Sequence, residues 1–147
     1  MPVCVDASFP LEFLLGDEYA AAALHRWLVW LRDSESILSP PLFRAEVTSA
    51  IRKRVAGGGL AADQGLNALR RALAWPVRVW PEDRQWARLQ LRAYELAARF
   101  RKRHAYDAQY LAAAEFAGTE LWTADERLFN TVRNDLPWVR WIGDYGA

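Results

Sequence analysis

Five short apolar runs, set between longer segments of helical period, constrain the fold of this chain more than any other feature of it. They are "PVCVD" (2–6), "SILS" (36–39), "PVRVW" (76–80), "TELWT" (119–123) and "WVRWI" (138–142). Each has the length and the β-branched or aromatic content of a strand. Between them the period turns helical, at 8–16, 17–33, 42–56, 60–74, 82–101 and 104–117, with a short helix in "DERLFNTVRN" (125–134). Strands joined by helical crossovers pair in parallel and need helices over both faces. The pattern predicts an α/β, three-layer α/β/α architecture with a mainly parallel, roughly five-stranded sheet, in one domain over 1–147. Ser8 is placed to cap the first helix, and Pro10 lies early in it, where a missing N–H does no harm. Glycines 57–59 end the helix at 42–56, and Gly118 ends the one at 104–117.

Several classes of protein are set aside by the same residues. Cys4 is the only cysteine, so neither an intrachain disulfide nor a thiolate metal cluster can form, and its apolar run predicts a buried hydrophobe. No apolar run approaches the ~20 residues that span a bilayer, and no secretory leader is visible, so a cytoplasmic protein is expected. Formal net charge is +1, so any attraction to nucleic acid has to be local. The eight tryptophans fall mostly within apolar patterns and are expected in the core, with a partner surface as the other use for some of them.

Four acids break the apolar logic. Asp6 closes the first predicted strand and Asp125 follows the fourth, which puts both at the edge of a parallel sheet where ligands bind. Glu46 falls inside the apolar arc of its helix, between Leu42 and Ala50. Asp107 lies on the side of its helix that Tyr110, Leu111 and Ala114 make apolar, near the N-terminus, where the helix dipole favours an anion. Each has an ordinary reading: a helix cap for Asp125, a turn residue for Asp6, a side chain reaching solvent for Glu46. Gathered to about 5 Å at an effective dielectric of about 20, however, each pair would repel by about 3 kcal/mol. Divalent cations with oxygen ligands relieve such a load; without one, at least one acid should hold a proton near neutral pH.

In order along the chain, "VDAS" (Asp6, Ser8), "RAEVTSAI" (Glu46), "YDAQYLAAAEFAG" (Asp107) and "LWTADERL" (Thr123, Asp125) resemble the four acidic motifs of the PIN-domain nucleases, and most closely the VapC-type toxins of toxin–antitoxin modules. The resemblance runs from residue 2 to about 142. It implies an endoribonuclease dependent on Mg²⁺ or Mn²⁺, with Asp6, Glu46, Asp107 and Asp125 as catalytic metal ligands and Ser8 and Thr123 beside them. It also implies a homodimer held inactive by a small antitoxin. His104 departs from the family, which more often has Ser or Thr in this region. The helix carrying Trp27, Trp30 and Leu31 is the expected docking surface.

Two "RKR" triplets, 52–54 and 101–103, flank acidic motifs. Phosphate contact is expected of Arg44, Arg101, Arg103 and Arg127, beside an acidic pocket that would hydrolyse the RNA they hold. Exposed aromatic rings would add stacking on single-stranded RNA. Other readings fit less well. A receiver domain needs an acidic pair after its first strand and a lysine after its fifth. A haloacid-dehalogenase-type phosphatase needs D-x-D where this chain has "DAS". A PIN ribonuclease outside any toxin–antitoxin pair, or a catalytically idle PIN-like nucleic-acid-binding module, stays open.

Overall fold

A computed structural model describes residues 1–146. Its five strands are β1 (Val3–Val5), β2 (Ile37–Ser39), β3 (Val77–Val79), β4 (Leu121–Thr123) and β5 (Val139–Trp141). All pair in parallel, in the order β3-β2-β1-β4-β5. The seven helices are α1 (Ser8–Leu15), α2 (Ala20–Arg32), α3 (Leu42–Ala56), α4 (Ala62–Leu73), α5 (Trp86–Arg99), α6 (Tyr106–Ala117) and α7 (Glu126–Val132). They flank the sheet as the expected three-layer α/β/α arrangement. None is long and apolar enough to cross a membrane.

The chain builds outward from β1 in one direction through β2 and β3, then returns to β1's other side with β4. The order therefore reverses between β1 and β4, and the carboxyl ends of these two neighbours open the crevice where such sheets bind ligands. Every residue of β1 and β4 is buried, as central parallel strands require. Across the sheet, the Ser39 hydroxyl donates to the Val5 carbonyl at 2.7 Å, tying the ends of β1 and β2.

Helix ends follow local chemistry. Gly118 closes α6 in the left-handed conformation, φ 63°, which costs a residue without Cβ nothing. The helix expected over 82–101 is shorter: a 3₁₀ turn at Asp83–Gln85 precedes α5. At its other end Arg101 takes a φ of 54°, and the Lys102 N–H returns to the Ala97 carbonyl at 2.7 Å, a Schellman-type closure. That turn brings Lys102 round toward the start of α6.

Ser8 does not cap α1 as expected. The Phe9 N–H is instead taken by the Asp6 carboxylate at 3.2 Å, and the Ser8 hydroxyl serves elsewhere. The α2 reading also needs correction. Trp27 and Trp30 are buried against Phe13, Phe9, Trp75 and Trp122, with ring centroids 5.2 to 5.7 Å apart, while Leu24, Leu28 and Leu31 are exposed. The tryptophans cannot be a docking surface; Leu24, Leu28 and Leu31, beside them around the helix, are the exposed stripe. Of the eight tryptophans, Trp86 alone is fully exposed in character, at 53%.

Candidate active site

Asp6 emerges from β1 into the crevice with 5% of its surface exposed. Both carboxylate oxygens have hydroxyl donors. Oδ1 accepts from Ser8 Oγ at 2.6 Å, and Oδ2 accepts from Thr123 Oγ1. These hydroxyls are themselves anchored: Ser8 Oγ accepts from the Ala124 N–H at 2.9 Å, and Thr123 Oγ1 from the Asp125 N–H at 2.9 Å. The loop after β4 is thereby stitched to the loop after β1, with Asp6 at the seam. Asp125 begins α7 as its N-cap, Oδ1 accepting from the Leu128 N–H at 3.1 Å, so its ordinary reading and its place at the crevice hold together.

Burial pushes the Asp6 carboxyl up to about 7 from an ordinary 3.8; the Ser8 and Thr123 hydroxyls pull it down, and the charges of Asp125 and Asp107 raise it further. This meets the expectation that one acid in the group holds a proton near neutrality. Asp107, in the first turn of α6, is also raised by burial, and Asp125 adds to the rise. Lys102 opposes it, with Nζ 3.7 Å from Asp107 Oδ2. Glu46 is half-buried on α3 and raised by burial and by Asp107, while its bond to Tyr110 lowers it. Tyr110, 2% exposed and one turn past Asp107, donates its hydroxyl to Glu46 Oε1 at 2.5 Å. Burial first, and then the Glu46 charge, holds the Tyr110 phenol protonated well above its ordinary range.

The four acids are thus one electrostatic group, but not a uniformly tight one. Asp6 feels Asp107 and Asp125, whereas Glu46 is coupled through Asp107. Among the described residues, no group of three or more His, Cys, Asp or Glu side chains is spaced to hold a metal ion. The acids are thus spaced more openly than four carboxylates gathered to about 5 Å. The donors nevertheless suit a hard divalent cation: all are carboxylate or hydroxyl oxygens, and one buried acid faces two like charges. Mg²⁺ in particular keeps several waters and takes only one or two protein carboxylates.

The basic residues divide by partner. Arg44 donates one guanidinium N–H to the Val77 carbonyl at 3.1 Å, tying α3 to the edge strand, and its side chain is exposed. Arg54 of the first triplet is held by Asp17 at 2.9 Å. Lys102 of the second lies against Asp107. Arg101, Arg103 and Arg127 are exposed and have no ion-pair partner among the described residues. Sequence reasoning missed Tyr110 and Lys102 as parts of the site. It counted Tyr110 as apolar surface, and no local signal pairs that phenol with Glu46 on another helix. Tyr106, at the start of the same helix, is 57% exposed.

Two shallow hollows adjoin the crevice. One, about 400 Å³, is lined by Leu42, Glu46, Ser49, Lys53 and Tyr106 among others; the second, about 510 Å³, includes Ser8, Leu11 and Lys53. A larger hollow of about 570 Å³ opens by Pro2, Val3 and Glu120, where β1 and β4 begin, at the opposite edge of the sheet from these acids.

A family model of the PIN domain matches residues 3–134. The chain is 35% identical over 127 residues to a protein named Ribonuclease VapC12 of Mycobacterium tuberculosis (strain ATCC 25618 / H37Rv), covering 86% of this chain and 88% of that one. It is 30% identical over 142 residues to VapC ribonuclease Mb0985 of Mycobacterium bovis (strain ATCC BAA-935 / AF2122/97), covering 92% and 94% respectively. The same figures, 30% over 142 residues, relate it to Ribonuclease VapC9 of Mycobacterium tuberculosis (strain ATCC 25618 / H37Rv).

Proposed function

This chain belongs to the PIN-domain family, alongside relatives named VapC ribonucleases, and from that premise we propose that it is a metal-dependent endoribonuclease, the toxin of a type II toxin–antitoxin pair. The observation that carries the reading is Asp6: a buried, doubly hydroxyl-bonded carboxylate at the topological crevice, under the charges of Asp107 and Asp125. Few folds keep such a group unless a cation relieves it.

Asp6, Asp107 and Asp125 would hold Mg²⁺ or Mn²⁺, with Glu46 completing the acidic wall. When bound, the cation supplies a water of lowered pKa and neutralises charge in an in-line displacement at phosphorus. The rest is done by the chain. Ser8 and Thr123 fix the plane of the Asp6 carboxylate, so its lone pairs face the crevice without a search among rotamers. Tyr110 fixes Glu46 in the same way from α6. Neither His25 nor His104 is needed as a base. Arg101, Arg103 and Arg127 are left to attract the phosphodiester backbone. The exposed leucines of α2 are the face we assign to a small antitoxin; a homodimer and a cytoplasmic location complete the reading.

The open spacing of the carboxylates favours one second reading, a PIN-like module that binds nucleic acid without cutting it. One experiment separates the two. Purified chain is incubated with RNA in Mg²⁺, in Mn²⁺ and in chelator, beside Asp6→Asn and Asp107→Asn. Cleavage that needs the divalent ion and disappears in both variants supports the nuclease. Binding without cleavage under any metal supports the idle module.

A further inference from the structure

We propose that Tyr106 and His104 form a stacking platform for one unpaired base of single-stranded RNA, with Lys53 across the hollow receiving an adjacent phosphate. The inference rests on the reading of the chain as an RNA-cutting enzyme and adds to it where the strand lies and how a base is held.

Three observations converge. First, Tyr106 opens α6 immediately before Asp107, in the apolar-looking stretch "HAYDAQYL", yet its ring is 57% exposed. A large aromatic left in water beside an acidic crevice has lost the burial that would explain it as core. Second, the ring does not stand alone. His104 lies against it with centroids 5.8 Å apart and planes 29° from parallel, and His104 is exposed as well. Two exposed rings stacked in this way leave an outer aromatic face open to a base. Third, Tyr106 shares its 400 Å³ hollow with Glu46 and Lys53, so the platform, an acid of the site and a cation border one space.

Lys53 is the cation that lines this hollow. Arg54, its neighbour, is paired with Asp17, and Lys102 lies at Asp107, but Lys53 is exposed and has no ion-pair partner among the described residues. It borders both hollows, sharing one with Glu46 and the other with Ser8. A phosphate there would follow the wall of the crevice toward Asp6. A base stacked on Tyr106 would then hold its nucleotide next to the acids.

The chemistry selects the ligand. Stacking needs a base whose face is free, which a duplex does not offer, and it tolerates any base because all have a π-face. The ligand is therefore single-stranded RNA, or a loop or bulge, with little base preference at this position.

The test is the affinity of a short fluorescent single-stranded RNA, read by anisotropy in an Asp6→Asn background that prevents cleavage. Tyr106→Ala should weaken binding by roughly fivefold to a hundredfold, and Tyr106→Phe should restore it, since the ring and not the hydroxyl is used. An RNA with one abasic position should lose as much at a single site along the strand. That loss should vanish in Tyr106→Ala, because the two changes remove the same contact. Lys53→Gln should weaken all RNAs alike and lower the salt dependence by about one phosphate contact. Affinity within twofold of the parent for Tyr106→Ala, abasic and Tyr106→Ala losses that add at every position, or no RNA binding by the parent would each overturn the platform. Unchanged affinity in Tyr106→Ala, with divalent-dependent cleavage by the unmodified chain, sinks the platform and leaves the nuclease standing. The predicted affinity losses, with no cleavage by the unmodified chain, do the reverse.

Discussion

Replacing Asp6 by Asn should make the metal-free protein more stable at neutral pH, although it removes a residue at the centre of the site. The sign follows from linkage. The Asp6 carboxyl titrates at about 7 in the folded chain against an ordinary value of 3.8. Between these two values the folded state holds a proton that the unfolded state has released, so stability falls as pH rises through the window. Below it both states are protonated and there is no penalty; above about pH 7 both are ionised and the penalty is complete. At about 1.4 kcal/mol per pH unit the shift amounts to about 4 kcal/mol. Asn escapes that penalty but disturbs the hydroxyl pair. Its amide must replace one acceptor oxygen, leaving the Thr123 or Ser8 O–H without its present partner, at about 1–2 kcal/mol. The net expectation is a gain of about 2–3 kcal/mol at pH 8 in chelator, and a small loss at pH 4. Urea midpoints of both proteins across pH 4 to 8 read this directly. Adding Mg²⁺ should then stabilise the unmodified chain and leave Asp6→Asn nearly unmoved. Parallel pH profiles for the two proteins, or a less stable Asp6→Asn at pH 8, would refute the reasoning.

Tyr110→Phe removes the donor to Glu46 Oε1 and should weaken divalent binding, followed by isothermal titration, while lowering stability by about 1–3 kcal/mol; the hydroxyl also lowers the Glu46 carboxyl, so the metal affinity of the variant should become more pH-dependent near and below neutrality. Gly65→Ala should be destabilising by about 1–3 kcal/mol in chemical denaturation, because a Cβ there would lie 2.4 Å from Val55 Cγ2 and force α4 off α3; adding Val55→Ala should recover much of the loss.

The helix at 42–56 was legible to the residue, because Phe43, Val47 and Ile51 recur one turn apart between the prolines before Leu42 and a glycine stop. Asp6 and Asp125 were legible for a similar reason: strand ends in a parallel sheet locate themselves once the strands are found. What sequence could not supply was direction across the layers. The apolar arc of α2 is wider than the face it buries, and only the position of the sheet decides that Trp27 and Trp30 go in while Leu24, Leu28 and Leu31 stay out. Ser8 looked like a cap because capping is local, but its hydroxyl donates to Asp6, two residues earlier, and Asp6 takes the first-turn N–H of Phe9. The freed hydroxyl then joins β1 to a loop more than a hundred residues away. Tyr110 and Lys102 escaped because their partners, Glu46 on another helix and Asp107 across a turn, exist only once α5 has closed and α6 has docked.

The central claim is that these separated acids hold a divalent cation. A crystal soaked in Mn²⁺ tests it most directly, through anomalous scattering. The expected result is a peak bounded by the Asp6, Asp107 and Asp125 carboxylates, with Lys102 drawn back from Asp107. A crystal with Mn²⁺ bound only at other surfaces, and Lys102 still against Asp107, would contradict it.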